Sequence, residues 1–179
     1  MRRCLSVCMV ILCLVFLFAC SSTQREIQAQ DINFTFACKI DVASPNGNLV
    51  CSFNRAGQKD AAIEIISGSG KGMKWYWSGD GFTQTYQSLS AKSENCVLPE
   101  CSFASLLVKA LDCAEKPNAL ESSGGNVFSG SMNGCNFTLT VDGNTGNLQT
   151  LSVPDWNVTI KFHDFEEKAL QTNVQTTLY

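Results

Sequence analysis

The chain has 179 residues, and 13 basic against 16 acidic side chains leave a net charge of −3. Its acidic balance and the lack of any arginine or lysine cluster argue against nucleic acid as a partner. Charged residues are only 16%, with Ser, Thr, Asn and Gly in their place, as is common in exported β domains.

Met1-Arg2-Arg3 is a positive start, and Leu5 to Ala19 carries no charge. A helix over that stretch reaches about 22 Å, short of the roughly 30 Å hydrocarbon core, so residues 1–19 read as a secretory signal rather than a permanent span. The stretch closes as Leu17-Phe18-Ala19-Cys20-Ser21-Ser22, which resembles the lipobox of bacterial and some archaeal lipoproteins. That resemblance implies a diacylglycerol on Cys20 and cleavage before it. Two or more acyl chains anchor a protein stably where one does not. The expected location is extracytoplasmic, membrane-anchored in a periplasm or at a cell surface; the alternative is an ordinary signal and a secreted product. Residues 20–31 are polar after the cysteine and read as a tether, leaving 32–179 as a single β-rich domain.

Cys4, Cys8 and Cys13 lie within the signal. The remaining set, Cys38, Cys51, Cys96, Cys101, Cys113 and Cys135, is even in number. In an oxidising compartment such a set reads as a disulfide framework of open connectivity. The spacing has no Cys-x-x-Cys knuckle and the one histidine is remote, so no metal is expected.

From residue 32 apolar and polar residues alternate. Ile32, Phe34, Phe36, Cys38, Ile40 and Val42 share one face of an expected strand. A turn over 44–48 leads to a second strand, Leu49 to Asn54, with Leu49, Cys51 and Phe53 on the apolar face. Cys38 and Cys51 then share one side of a hairpin, which makes them the favoured disulfide pair. Further strands are expected at 61–67, 73–78 and 82–87, with Gly79-Asp80-Gly81 as a tight turn. Ser102 is an expected N-cap for a helix over about 102–112, in which Phe103, Leu106, Leu107, Ala110 and Leu111 form an apolar stripe. Cys101 and Cys113 bracket it, so disulfides are expected to pin its ends. Residues 117–134 read as loop with at most a short strand near 127–129. Strands at 135–141, 148–153 and 156–163 complete the set, with Trp156, Val158, Ile160 and Phe162 inward. The expected fold class is mainly β (α+β): a curved antiparallel sheet or half-open β-barrel with one main packed helix, stabilised by disulfides.

One run has a familiar order: a strand, Lys-Gly-Met-Lys-Trp-Tyr-Trp, a Gly-Asp-Gly turn, Phe-Thr-Gln-Thr-Tyr, then the helix Ser-Phe-Ala-Ser-Leu-Leu-Val-Lys-Ala-Leu. Leu-Thr-Val-Asp-Gly-Asn-Thr-Gly and Asn-Val-Thr-Ile-Lys-Phe-His-Asp-Phe follow. Over about residues 60–165 this order is similar to the LolA-like superfamily of periplasmic lipoprotein carriers and lipid-binding lipoproteins. The resemblance implies a half-open barrel lidded by helices that holds an acyl chain or lipid on its concave face without chemistry. It would make Trp75, Trp77, Phe82, Phe103, Leu107 and Phe137 the cavity lining.

No catalytic arrangement is expected. The one histidine, His163, falls on the polar face of the last strand, Ser69-Gly70-Lys71-Gly72 lacks the spacing of a phosphate loop, and Glu166 and Glu167 diverge as neighbours. Asn33-Phe-Thr, Asn136-Phe-Thr and Asn157-Val-Thr match the glycosylation acceptor pattern, all on expected polar faces. The sequence therefore points to an anchored, cofactor-free, non-enzymatic domain that binds a lipid or other apolar ligand. The rival is a secreted or cell-surface domain for structure or protein interaction, with no small ligand.

Overall fold

Alternation of apolar and polar residues along nearly the whole chain produces one sheet with a buried and a solvated face. In the computed structural model, which describes residues 27–93, 98 and 102–166, that sheet has eleven strands. They are β1 (Phe36–Ser44), β2 (Gly47–Gly57), β3 (Asp60–Ser67), β4 (Met73–Trp77), β5 (Phe82–Tyr86) and β6 (Leu89–Ser93). After the helix α1 (Phe103–Ala114) come β7 (Glu121–Gly124), β8 (Val127–Met132), β9 (Cys135–Val141), β10 (Leu148–Val153) and β11 (Val158–His163). All neighbours are antiparallel, in the order β6-β5-β4-β3-β2-β1-β11-β10-β9-β8-β7. Two meanders are thus joined where the first strand meets the last, Val42 opposite Ile160. The sheet stays open, with β6 and β7 as its edges, and α1 lies on the path from one edge to the other.

The inward residues of both meanders and the helix form one continuous core. Ser102 caps the helix, its hydroxyl accepting from the Ser105 amide at 3.3 Å. Pro117 follows shortly after the last turn, where a helix cannot continue. The expected stripe understates the burial. Ala104, Ser105 and Val108 are as buried as Leu107 and Leu111, so the helix is enclosed on most sides by the curled sheet rather than laid across it. Among the described residues no helix is long and apolar enough to cross a membrane.

Several expectations need correction. Alternating burial begins at Ile32 as read, but the ladder begins only at Phe36. The carbonyl of Phe34 is taken by the Arg55 guanidinium (2.6 Å) and the amide of Asn33 by the Gly146 carbonyl (2.9 Å), so these groups serve side chain and loop instead of a strand. The end of the supposed tether is part of the domain: Ile27 is buried, and its amide donates to Asn126 Oδ1 at 3.0 Å. The supposed loop 117–134 holds two strands, β7 and β8, turned at Gly125-Asn126, and β8 turns into β9 at Asn133-Gly134; all four turn residues have positive φ. Finally, β6 is a strand beyond those expected, and β2 runs on to Gly57 with Arg55 inside.

Cys38, Cys51, Cys113 and Cys135 carry free thiols. The hairpin register explains why the favoured pair is not joined. Cys38 stands opposite Phe53, and Cys51 opposite Ile40, so the two are diagonal neighbours. Diagonal positions lie about 7–8 Å apart, whereas a bridge wants Cα atoms within about 7 Å. Cys113 does not pin the helix end by a bridge; its thiol donates to the Ser131 carbonyl at 3.2 Å. Cys20, Cys96 and Cys101 lie outside the described residues.

Candidate functional site

The strand directions divide the turns between two ends of the sheet. One end gathers the β1–β2, β3–β4, β5–β6, β8–β9 and β10–β11 turns together with the helix N-terminus. The opposite end holds the helix C-terminus and is closed by side-chain bonds. There Arg55 is fully buried, donating to Phe34 O, to Asp112 Oδ1 at 2.9 Å and to Glu115 Oε2 at 2.7 Å, and its guanidinium lies 5.6 Å from the Phe34 ring centroid. Asp112 also accepts from Trp77 Nε1 at 2.8 Å and from the Lys59 amide at 3.2 Å. A buried charge is tolerated where it is paired and hydrogen-bonded in this way.

Among the described residues the first end is not closed. Between the turns and the start of α1 lies a cleft of about 540 Å³, walled by Leu49, Ile65, Met73, Trp75, Phe103, Trp156 and Val158. Its polar rim comes from Ser44, Asn46, Ser69 and Ser102, and among the described residues no charged side chain lines it. The volume falls within the roughly 300–1,000 Å³ typical of small-molecule sites. The main walls are held rigidly. Trp75 meets Phe103 edge-on, with centroids 5.6 Å apart and planes at 88°. Its Nε1 donates to Gln84 Oε1 at 3.2 Å, and Gln84 Nε2 lies 3.6 Å from Met73 Sδ. The floor of the β3–β4 turn is glycine for a reason: Gly70 has φ +80°, and a Cβ there would sit 3.4 Å from Ile65 Cδ1.

Of the six residues proposed as lining, Trp75 and Phe103 wall this cleft. Trp77, Phe82, Leu107 and Phe137 are buried in the continuous core and do not line this cleft. Trp77 is tied to Asp112 and stacks near Phe82 at 4.8 Å. Sequence reasoning missed Leu49, Ile65, Met73, Trp156 and Val158 as lining. Their signal was position: each lies at or beside a turn of the same end. Trp156 is also a correction, because it is not on a strand. Pro154 starts a 3-10 turn, Pro154–Trp156, that leaves the indole 38% exposed.

Asn33, Asn136 and Asn157 are all exposed. Asn136 is on the outer face of β9, Asn33 precedes β1, and Asn157 ends the 3-10 turn at φ +49° instead of lying on a strand. His163 sits on the outer face, its Nε2 3.2 Å from Asp41 Oδ1 and its Nδ1 3.5 Å from Asp164 Oδ2, away from the cleft. Among the described residues no group of three His, Cys, Asp or Glu side chains is placed to hold a metal.

No protein-family model matches the chain, and no curated protein matches it in sequence. Among solved structures, a LolA superfamily protein from Nitrosomonas europaea is similar at 8% identity and a TM-score of 0.41, over 79% of this chain and 90% of that one.

Proposed function

We propose that this is an exported protein, anchored through a lipid on Cys20, that holds one apolar chain of a lipid or related amphiphile in the cleft at the open end of its sheet. The observation that carries the reading is the contrast between the two ends. One is sealed by a buried ion-pair network, while the other holds an aromatic-walled cleft that is open and uncharged among the described residues. Each methylene moved from water into such a cleft contributes about 0.8 kcal/mol, so a chain of modest length is held without any charged contact.

The same features support binding without catalysis. Among the described residues of the cleft wall, no imidazole or carboxylate stands beside the hydroxyls of Ser44, Ser69 and Ser102 to act as a base. The test is organic extraction of protein purified from its own membranes, followed by mass spectrometry. One equivalent of an apolar chain beyond any lipid on Cys20 is the expected result; protein that binds no such chain when one is offered contradicts the reading.

A further inference from the structure

The described chain enters and leaves the sheet at the closed end. Ile27 is fixed to Asn126, in the β7–β8 turn, and Asn126 in turn accepts from the Val141 amide where β9 ends. At the other terminus the Glu166 amide donates to the Ala37 carbonyl at the start of β1. The cleft opens at the opposite end. The three large hydrophobic side chains exposed among the described residues also belong to that end. Trp156 walls the cleft. Tyr86 and Leu89 face each other across the β5–β6 turn, and Tyr86 stands opposite Met73 of the cleft wall. Leu89 is 72% exposed.

From this placement, and resting on the reading above of a Cys20 anchor and a ligand-holding cleft, we infer that the anchored domain turns its cleft away from the membrane that holds it and takes its apolar ligand from the aqueous side. The covalent geometry sets the limit. Cys20 to Glu26 can span at most about 25 Å when fully extended. The eleven residues of β2 measure about 36 Å end to end. The link starts beside β8, whose six residues measure about 20 Å, so only when nearly fully extended does it come level with the β8–β9 turn, and it falls short of the cleft's β1–β2 rim at the far end of β2. The exposed Trp156, Tyr86 and Leu89 then serve as an apolar lip that receives an amphiphile arriving through water, not as a wedge in the anchoring membrane. Among the described residues Lys71 and Asp155 are the charges in the turns of this rim, which offer little to attract an anionic lipid surface.

The experiment uses the full lipidated chain in nanodiscs whose lipids carry gadolinium headgroups, with relaxation of backbone amides read by NMR. The inference expects paramagnetic enhancement at least tenfold larger at Gly57 and Gly125, at the closed end, than at Gly47 and Gly70 on the rim of the cleft. Equal or greater enhancement on the rim overturns it. A chain that leaves the disc and shows no lipid by intact mass overturns it through the anchor. A second readout follows a fluorescent fatty acid supplied either in buffer or preloaded in the disc. Faster filling from buffer is expected, and faster filling from the disc overturns the inference. Absence of filling from both sources removes the ligand reading while leaving the measured orientation standing.

Discussion

Arg55 and Asp112 meet at 2.9 Å with the guanidinium fully out of solvent, joining the end of the second strand to the last turn of the helix. Asp112 simultaneously receives the Trp77 indole and the Lys59 amide, so one carboxylate ties together helix, β4 and the β2–β3 turn. This knot keeps the helix seated inside the sheet, and its removal is the first test of how the fold holds its cleft. Asp112→Ala leaves Arg55 with Glu115 as its remaining carboxylate partner and leaves the Trp77 N–H without an acceptor. Because Glu115 still pairs the guanidinium, the cost should stay below the about 3–5 kcal/mol of an uncompensated buried charge, read as a fall in the urea midpoint. Arg55→Met combined with Asp112→Ala should cost less than the sum of the two single changes.

Gly130 faces Phe137 across β8 and β9, and a Cβ on it would lie 2.4 Å from the Phe137 ring. The glycine is required by the ring, since no positive φ demands it. Gly130→Ala should destabilise by about 1–3 kcal/mol, the usual cost of overpacking. Adding Phe137→Leu to the same chain should recover part of that loss in a thermal melt. A neutral Gly130→Ala would show that the ring is free to move aside.

Burial pushes the thiols of Cys38 and Cys51 from an ordinary 9.0 up to about 12, with the charge of Glu166 adding to the effect on Cys38. Below pH 9 both folded and unfolded chains hold these protons, and the stabilisation is complete. Above it the unfolded chain releases them first, so stability falls as pH rises toward about 12. Urea midpoints of the reduced protein should therefore drop from pH 8.5 to 10.5, and Cys38→Ala with Cys51→Ala should flatten that drop. At pH 8 iodoacetamide should label Cys113 before either buried thiol.

Filling the cleft should abolish binding without harming the fold. Met73 is half-buried at the edge of the cleft, in the wall nearest the lip. Met73→Trp should weaken binding of a fatty acid at least tenfold while moving the melting midpoint little, since the added ring can occupy the volume of the cleft. A variant that binds as before would place the ligand elsewhere.

The parts of the fold that could be read in the sequence are those where one residue in two is buried. Cys135 to Val141 and the Val158–Ile160–Phe162 run are clean alternations, and both are strands with those faces inward. The two edge strands gave no such signal. Glu121–Gly124 is exposed at every position, and of the apolar residues in Leu89–Ser93 Leu89 points into solvent. Asn133-Gly134 could have revealed the β8–β9 hairpin, because that dipeptide supplies two positive φ values in succession. Arg55 stays in phase with Cys51 and Phe53, but periodicity treats a charge as an outward residue. Only the distant Asp112 and Glu115 explain why it turns in. Aromatic residues pointed to the right face for the cleft but not the right depth. Trp75 and Phe103 border the cleft at the ring of turns, whereas Trp77, Phe82, Leu107 and Phe137 lie in the continuous core around the helix.

The most direct test of the central claim is a titration of the protein with a fatty acid brominated along its chain, following tryptophan emission. Trp75 and Trp156 wall the cleft, so saturable quenching at one equivalent is expected, and Met73→Trp should require at least tenfold more ligand. Quenching that never saturates, or emission that does not change, would contradict the assignment of the cleft as a binding site for an apolar chain.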